Sequence, residues 1–283
     1  MRGTSELLAN IQSICQIELF HTGRLSWMAL YGVAILDVVG SKVMDNRERL
    51  QDRLNEAIGD FNARFRNLLP VPAGITIGDE WEFLTGAPKY SYELIQWFQD
   101  TLRLARIEVY AGLGIGGLST AIGPEIRQMD GSCFHLARRA VAIAKGADGS
   151  RHKYIFSKKN RVYLLADNAG GNGSLPVRGG WEEAAAAGGR DGFPLTLQEM
   201  ANAMIENTEI LKVRMSEKQR LVFLEYQRLG SYRKMAAESG IRQTPGGISQ
   251  KLNTAEYFSI KRNVRLIGIL LEMMAGEGRV HDA

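Results

Sequence analysis

Apolar residues recur along the chain with two different periods, and the changes of period mark out its elements. Residues 6–20 place Leu7, Leu8, Ile11, Ile14 and Leu19 on one side of a helix, an amphipathic N-terminal brace. Met28 to Leu36 is almost uninterruptedly apolar and ends at Asp37, the pattern of a strand buried on both faces. After the turn Val38-Val39-Gly40-Ser41, the spacing of Leu50, Leu54, Ile58, Phe61, Phe65 and Leu68 predicts a helix from Asp45 to Leu69. Asp45 and Glu48 would form its capping box. Two short strands, Val71 to Ile77 and Trp81 to Leu84, meet at the tight turn Gly78-Asp79-Glu80. Ser91 is placed to cap a helix that runs to Arg106 and buries Leu94, Phe98 and Leu102. An alternating strand through Ile107, Val109, Ala111 and Leu113 follows, then a helix from Ser132 to Lys145 burying Phe134, Leu136, Val141 and Ile143. Tyr154 to Phe156 and Arg161 to Leu165 read as strands.

The order strand, helix, hairpin, helix, strand, helix, strands predicts an α+β domain over residues 27–167, a ferredoxin-like antiparallel sheet with helices on one face. Residues 168–195 are too rich in glycine to pack a core and read as a linker. Beyond them, residues 196–283 read as all-α: a bridging helix from Thr196 to Val213, a helix from Ser216 to Leu229 stopped by Gly230, two shorter helices, and a last helix from Tyr257 to Met274. Its Ile260, Val264, Ile267, Leu271 and Met274 could cap the domain or form a dimer seam. Residues 1–26 would be a helical extension.

Charge sharpens this division. The chain carries +4 overall, but residues 212–270 hold twelve Lys or Arg and four Asp or Glu, a net +8 that leaves −4 for the remainder. A basic C-terminal part suits a polyanion, and it also describes an ordinary solvated surface. No run approaches the ~18 apolar residues of a membrane span. Two cysteines, Cys15 and Cys133, make neither a disulfide framework nor a zinc cluster, and Glu6, Gln12, Gln16 and Glu18 interrupt any signal-peptide core. A cytoplasmic protein is expected.

The candidate chemistry lies in two acids. Asp37 ends the buried strand and Asp79 sits on the hairpin, points that can be neighbours in the predicted sheet. Two carboxylates plus substrate phosphates satisfy Mg²⁺ or Mn²⁺. Each taken alone is ordinary turn chemistry. Together with their surroundings they resemble the catalytic domain of class III nucleotidyl cyclases, which is related to GGDEF diguanylate cyclases and polymerase palms. Ile35-Leu36-Asp37-Val38-Val39-Gly40-Ser41 looks like that family's first metal strand and turn, and Thr76-Ile77-Gly78-Asp79-Glu80 like its metal hairpin. Gly112-Leu113-Gly114-Ile115-Gly116 looks like its glycine-spaced strand, and Gly131 to Arg139 like its nucleotide-binding helix. The resemblance implies that Asp37 and Asp79 are metal ligands and catalytic, with Glu80 a further ligand, and that Arg139 contacts phosphate. Gly40, Ser41 and His135 would lie at the nucleotide. His135 stands where the cyclases place Asn, and Ile75 where they place a base-reading Lys, so the base is not implied. A homodimer is implied by the way such cyclases build their sites.

Tyr232 to Ile241, with its small alanines and Gly240, resembles the first half of a helix-turn-helix of the sigma-region-four type, and Ile248 to Asn253 the recognition helix. The turn Arg242-Gln243-Thr244-Pro245-Gly246-Gly247 is longer than usual. Arg233, Lys234, Arg242, Ser249, Gln250, Lys251 and Asn253 are the residues for double-stranded DNA. A palm followed by such a module is similar to the SatD family. Three functions follow as expectations: a DNA-binding regulator whose palm senses a nucleoside triphosphate or nucleotide signal with a divalent metal, an active cyclase or nucleotidyltransferase, and a palm kept only as a dimerisation scaffold.

Overall fold

The computed structural model describes residues 29–41, 47–146, 154–167, 196–238 and 243–277. Five strands, β1 (Tyr31–Val38), β2 (Gly74–Ile77), β3 (Glu80–Thr85), β4 (Val109–Gly116) and β5 (Val162–Ala166), form one sheet in the order β2-β3-β1-β4-β5. The first four, with α1 (Arg47–Phe65) and α2 (Ser91–Leu104), make the expected ferredoxin-like unit: β3 lies between β1 and β2, and every pairing among the four is antiparallel. Two features extend it. β5 joins β4 in parallel, and α3 (Ser132–Lys145) covers the face opposite α1 and α2.

The central strand explains both layers. Val33 to Leu36 are fully buried, as their apolar run requires. Ala34, Leu36 and Val38 point to the side of α1 and α2, where Phe61 stacks on Phe98 with centroids 4.3 Å apart. Val33 and Ile35 point to the other side, against Cys133, Phe134, Ala137 and Val141 of α3. A strand with no polar face needs a cover on both, so the third helix cannot share the side of the first two.

α4 (Leu197–Val213) starts in a capping box of Thr196 and Glu199 and seals the free edge of β5. Asn202 accepts from Leu164 N–H (2.9 Å) and donates to Leu164 C=O (3.0 Å), and Gln198 accepts from Ala166 N–H (2.8 Å), so side-chain amides replace a sixth strand. At the far end of α4, Lys212 Nζ lies 2.7 Å from Asp100 Oδ1 of α2, with both side chains buried. Beyond α4 come α5 (Glu217–Leu229), α6 (Tyr232–Glu238), α7 (Pro245–Thr254) and α8 (Tyr257–Glu277). Val222, Phe223, Met235, Ile248, Leu252 and Tyr257 make a second, smaller core. Leu197, Ala201 and Ile205 of α4 and Ile267, Leu270 and Leu271 of α8 belong instead to the core under the sheet.

Several local expectations change. Ser91 is the first helical residue after the short 3₁₀ turn Pro88–Tyr90, and its buried Oγ has no hydrogen-bond partner, so it caps nothing. α2 stops at Leu104, where Arg106 takes φ 61°. Tyr154 to Phe156 form no strand, and Phe156 is exposed. In the helix-turn-helix region, Pro245, Gly246 and Gly247 are the first turn of α7, capped by Thr244, which shortens the apparent turn. The expected N-terminal helix and the glycine-rich linker lie outside the described residues, as does Met28. Among the described residues, no helix is long and apolar enough to cross a membrane.

Candidate metal and nucleotide site

The site begins with how closely α3 lies on β4. A Cβ at Gly112 would fall 2.1 Å from Val141 N and 2.3 Å from Ala137 O, and one at Gly114 would fall 2.1 Å from Cys133 O. Only glycine lets the helix backbone rest directly on the strand. That seat buries Cys133, whose thiol is pushed up to about 12 chiefly by burial.

Seated this way, α3 presents two cations to the sheet. Arg138 and Lys145 are seven residues apart, two turns, and so lie on one face. Lys145 Nζ is 2.6 Å from Asp37 Oδ2 and 3.9 Å from Glu80 Oε2. Arg138 Nη1 is 3.1 Å from Glu80 Oε1, and its Nη2 is 4.0 Å from Glu82 Oε2. The sheet register produces the acidic side. Asp37 of β1 pairs with Glu80 of β3, and Ile35 with Glu82, so Asp37, Glu80 and Glu82 share the face that α3 covers. Asp79 enters from the hairpin turn beside them.

The cluster is electrostatically tense. Burial raises the pKa of Asp37, the Lys145 ammonium opposes this, and the negative charges of Asp79 and Glu80 add to it. Burial, reinforced by Glu80 and opposed by Arg138, pushes Glu82 up to about 7. Asp79 Oδ2 and Glu82 Oε2 are buried with no hydrogen-bond partner. Orphaned carboxylate oxygens are hard donors, so the side chains at this spot fit Mg²⁺ or Mn²⁺. Among the described residues no group of three or more acids, His or Cys is already arranged around a metal position; the charge beside Asp37 and Glu80 is the ammonium of Lys145.

The expected site residues are thus partly brought together. Asp37, Asp79 and Glu80 converge. Gly40 makes the left-handed turn after β1 with φ 68°, and Ser41 is buried behind it. His135 Nε2 lies 3.2 Å from Asp130 Oδ1 on an exposed part of α3. Arg139 is exposed and points about 100° around the helix from its neighbour Arg138, which is the arginine that reaches the acids. Arg138, Lys145 and Glu82 were not anticipated. The two-turn spacing of Arg138 and Lys145, and the alternation of Glu80 with Glu82, were the signals that could have found them.

In the helical part, Arg233 and Lys234 are exposed on α6. Gln250 and Asn253 are exposed on α7, while Ser249 and Lys251 are half-buried there. Ile248 and Leu252 hold the opposite side of α7 in the small core. Arg242 lies outside the described residues.

The SatD family model matches residues 31–163. No curated protein matches the chain. Similar solved structures include the guanylate cyclase domain of RhGC from Catenaria anguillulae in complex with GTP, at 18% identity over 40% of this chain and 72% of that one, with a TM-score of 0.29. The non-canonical dimeric guanylyl cyclase domain of the RhoGC fusion protein from Blastocladiella emersonii is similar at 17% identity over 40% and 72%, TM-score 0.29. So is the catalytic core of a rhodopsin-guanylyl cyclase with converted specificity in complex with ATPalphaS, at 18% identity over 40% and 71%, TM-score 0.29.

Proposed function

With residues 31–163 matching the SatD family, we propose that the chain is a DNA-binding regulator whose palm domain binds a nucleotide together with a divalent metal. The observation that carries this is the orphaned, buried Oδ2 of Asp79 beside Asp37, whose own charge is balanced by a lysine. Asp37 and Asp79 hold the Mg²⁺ or Mn²⁺, and Glu80, which faces Arg138 and Lys145, is the further ligand. The ion supplies concentrated positive charge for a triphosphate. Gly40 and Ser41, at the turn after β1, and His135 and Arg139, exposed on α3, are the groups for phosphate and ribose.

The output side is the helical part. Its net charge of +8 over residues 212–270 favours a polyanion. Gln250 and Asn253 of α7 face solvent with the donors and acceptors that base edges require, and Arg233, Lys234, Arg242, Ser249 and Lys251 extend the set. A cytoplasmic setting suits both the DNA partner and the free thiol of Cys133.

The test is to incubate the pure protein with each nucleoside triphosphate and Mg²⁺ or Mn²⁺, with and without duplex DNA, while recording nucleotide binding, DNA anisotropy and products by mass spectrometry. Metal-dependent binding without product, lost in Asp79→Asn, supports the regulator. A cyclic or oligomeric product lost in the same variant replaces it with the enzyme, and absence of nucleotide binding leaves a scaffold. DNA affinity and salt slope unchanged by Lys251→Ala and Arg242→Ala would remove the assignment of α7 as recognition helix.

A further inference from the structure

Eleven large apolar side chains are exposed among the described residues, and four of them, Phe258, Leu266, Ile269 and Met273, lie on α8. At 3.6 residues per turn these four fall within an arc of roughly 80° together with Arg262. Arg265 borders the arc. Ile260, Ile267 and Leu271, which are buried, occupy the opposite side of the helix. α8 is thus apolar on two faces, and among the described residues only one of them is covered. A single exposed leucine is ordinary; a stripe four turns long marks an interface.

We propose that this stripe is a two-fold interface on which α8 packs antiparallel against α8 of a second copy of this chain. The spacing 258, 262, 265 and 266, 269, 273 reads the same in both directions. A two-fold axis between Arg265 and Leu266 sets Phe258 against the partner's Met273, Arg262 against the partner's Ile269 and Arg265 against the partner's Leu266. The arginine stems lie over apolar side chains while their guanidinium groups reach water.

Charge selects the antiparallel direction. The exposed cations of α8, Arg262 and Arg265, are in its first half, and the exposed Glu272, which also meets Lys89 Nζ at 2.8 Å, is in its second. The half-buried Lys261 is turned to Glu93 at 3.6 Å. Antiparallel packing lays the basic half beside the partner's acidic half and opposes the helix dipoles, whereas parallel packing stacks like on like. The seam is roughly 24 Å long, smaller than a standard interface, which places it in the weak, reversible class. α7 directly precedes α8, so the pairing relates two copies of α7 by the same axis, the arrangement that reads two half-sites. This inference does not depend on the palm binding a nucleotide.

The test uses the full chain in a Cys15→Ser background with single cysteines on α8. Leu266→Cys, beside the axis, forms a disulfide-linked dimer on mild oxidation. Phe258→Cys alone does not, because its two copies stand about 22 Å apart along the seam, whereas Phe258→Cys mixed with Met273→Cys does. Ile269→Asp, an exposed substitution that keeps the helical signal and Tm, shifts sedimentation towards monomer. A wild type that stays monomeric at every concentration overturns the proposal. So do a dimer insensitive to Ile269→Asp, which would use the palm instead, and cross-linking of Phe258→Cys as fast as Leu266→Cys.

Discussion

Lys145 Nζ lies 2.6 Å from Asp37 Oδ2, so the last residue of α3 supplies a cation to the carboxylate next to the end of the central strand. Two kinds of positive charge can serve these acids, a tethered ammonium and a divalent ion, and they compete for the same oxygens. Lys145→Met leaves Asp37 and Asp79 uncompensated, with Glu80 still held by Arg138. In EDTA it should lower stability by about 1 kcal/mol, since both partners keep some contact with water. With Mn²⁺ present it should bind the ion more tightly than wild type and recover the lost Tm. Weaker Mn²⁺ binding in this variant would mean that Lys145 assists the ion rather than opposing it.

The seat of α3 makes a sharper stability prediction. Gly114→Ala drives a Cβ into the Cys133 carbonyl, with backbone on both sides and no flexible group to yield. It should cost about 3 kcal/mol or more. Gly117→Ala, with nothing within 4 Å of the added carbon, should cost about 1 kcal/mol or less by the same chemical change. Thermal unfolding of the two variants decides it; equal losses would show that the close approach is not what holds the helix.

Cys133 gives the pH counterpart. Burial raises its thiol to about 12, so the native protein holds it protonated and unreactive through pH 9. Alkylation followed by mass spectrometry should label Cys133 only under denaturing conditions. Labelling at pH 8 without denaturant would show that α3 lifts off the strand.

Glu82 links stability to pH. Its folded pKa of about 7 exceeds the ordinary value of 4.5, so between those values the folded state keeps a proton that the unfolded state has released. Stability should therefore fall as pH rises from about 4.5 to about 7 and level off above that. In EDTA, Glu82→Gln should flatten this slope and gain up to about 3 kcal/mol above pH 7. A variant with the wild-type slope would place the titration elsewhere.

The buried pair between the sheet domain and the helical part is the last of these tests. Lys212→Met strands Asp100 without its cation and should cost about 3–5 kcal/mol, whereas Lys212→Met with Asp100→Leu should recover most of that. Chemical denaturation of both variants measures the difference, and a double variant no better than the single one would show that the pair acts through its other partners, Gln96 among them.

Much of the fold was legible because its signals are local. The apolar run before Asp37, the helical stripe through Phe61, the hairpin at Gly78 and the helix starts at Thr196 and Ser216 each depend on a few neighbouring residues. What escaped is long-range. The pattern of α8 shows that Ile267 and Leu271 are buried but not that they return to the core under the sheet, and a helix stripe does not state which side of a sheet it will cover. Tyr154 to Phe156 had a strand's composition, yet nothing in the described structure pairs with it. In the site, Asp37, Asp79 and Glu80 could be read because register and turn place them. The spacing of Arg138 and Lys145 puts them on one helix face, but that this face turns to the acids depends on the phase of α3, which the glycines of β4 set only in three dimensions.

In the proposed function, Asp37 and Asp79 hold a divalent ion that brings a nucleotide to the palm. Its most direct measurement is Mn²⁺ binding by electron paramagnetic resonance, with and without nucleoside triphosphate, in wild type, Asp37→Asn and Asp79→Asn. One saturable Mn²⁺ signal is expected in wild type, tightening with nucleotide and weakened at least tenfold in both variants while each stays folded in EDTA. Mn²⁺ and nucleotide bound as tightly by Asp79→Asn as by wild type would contradict it.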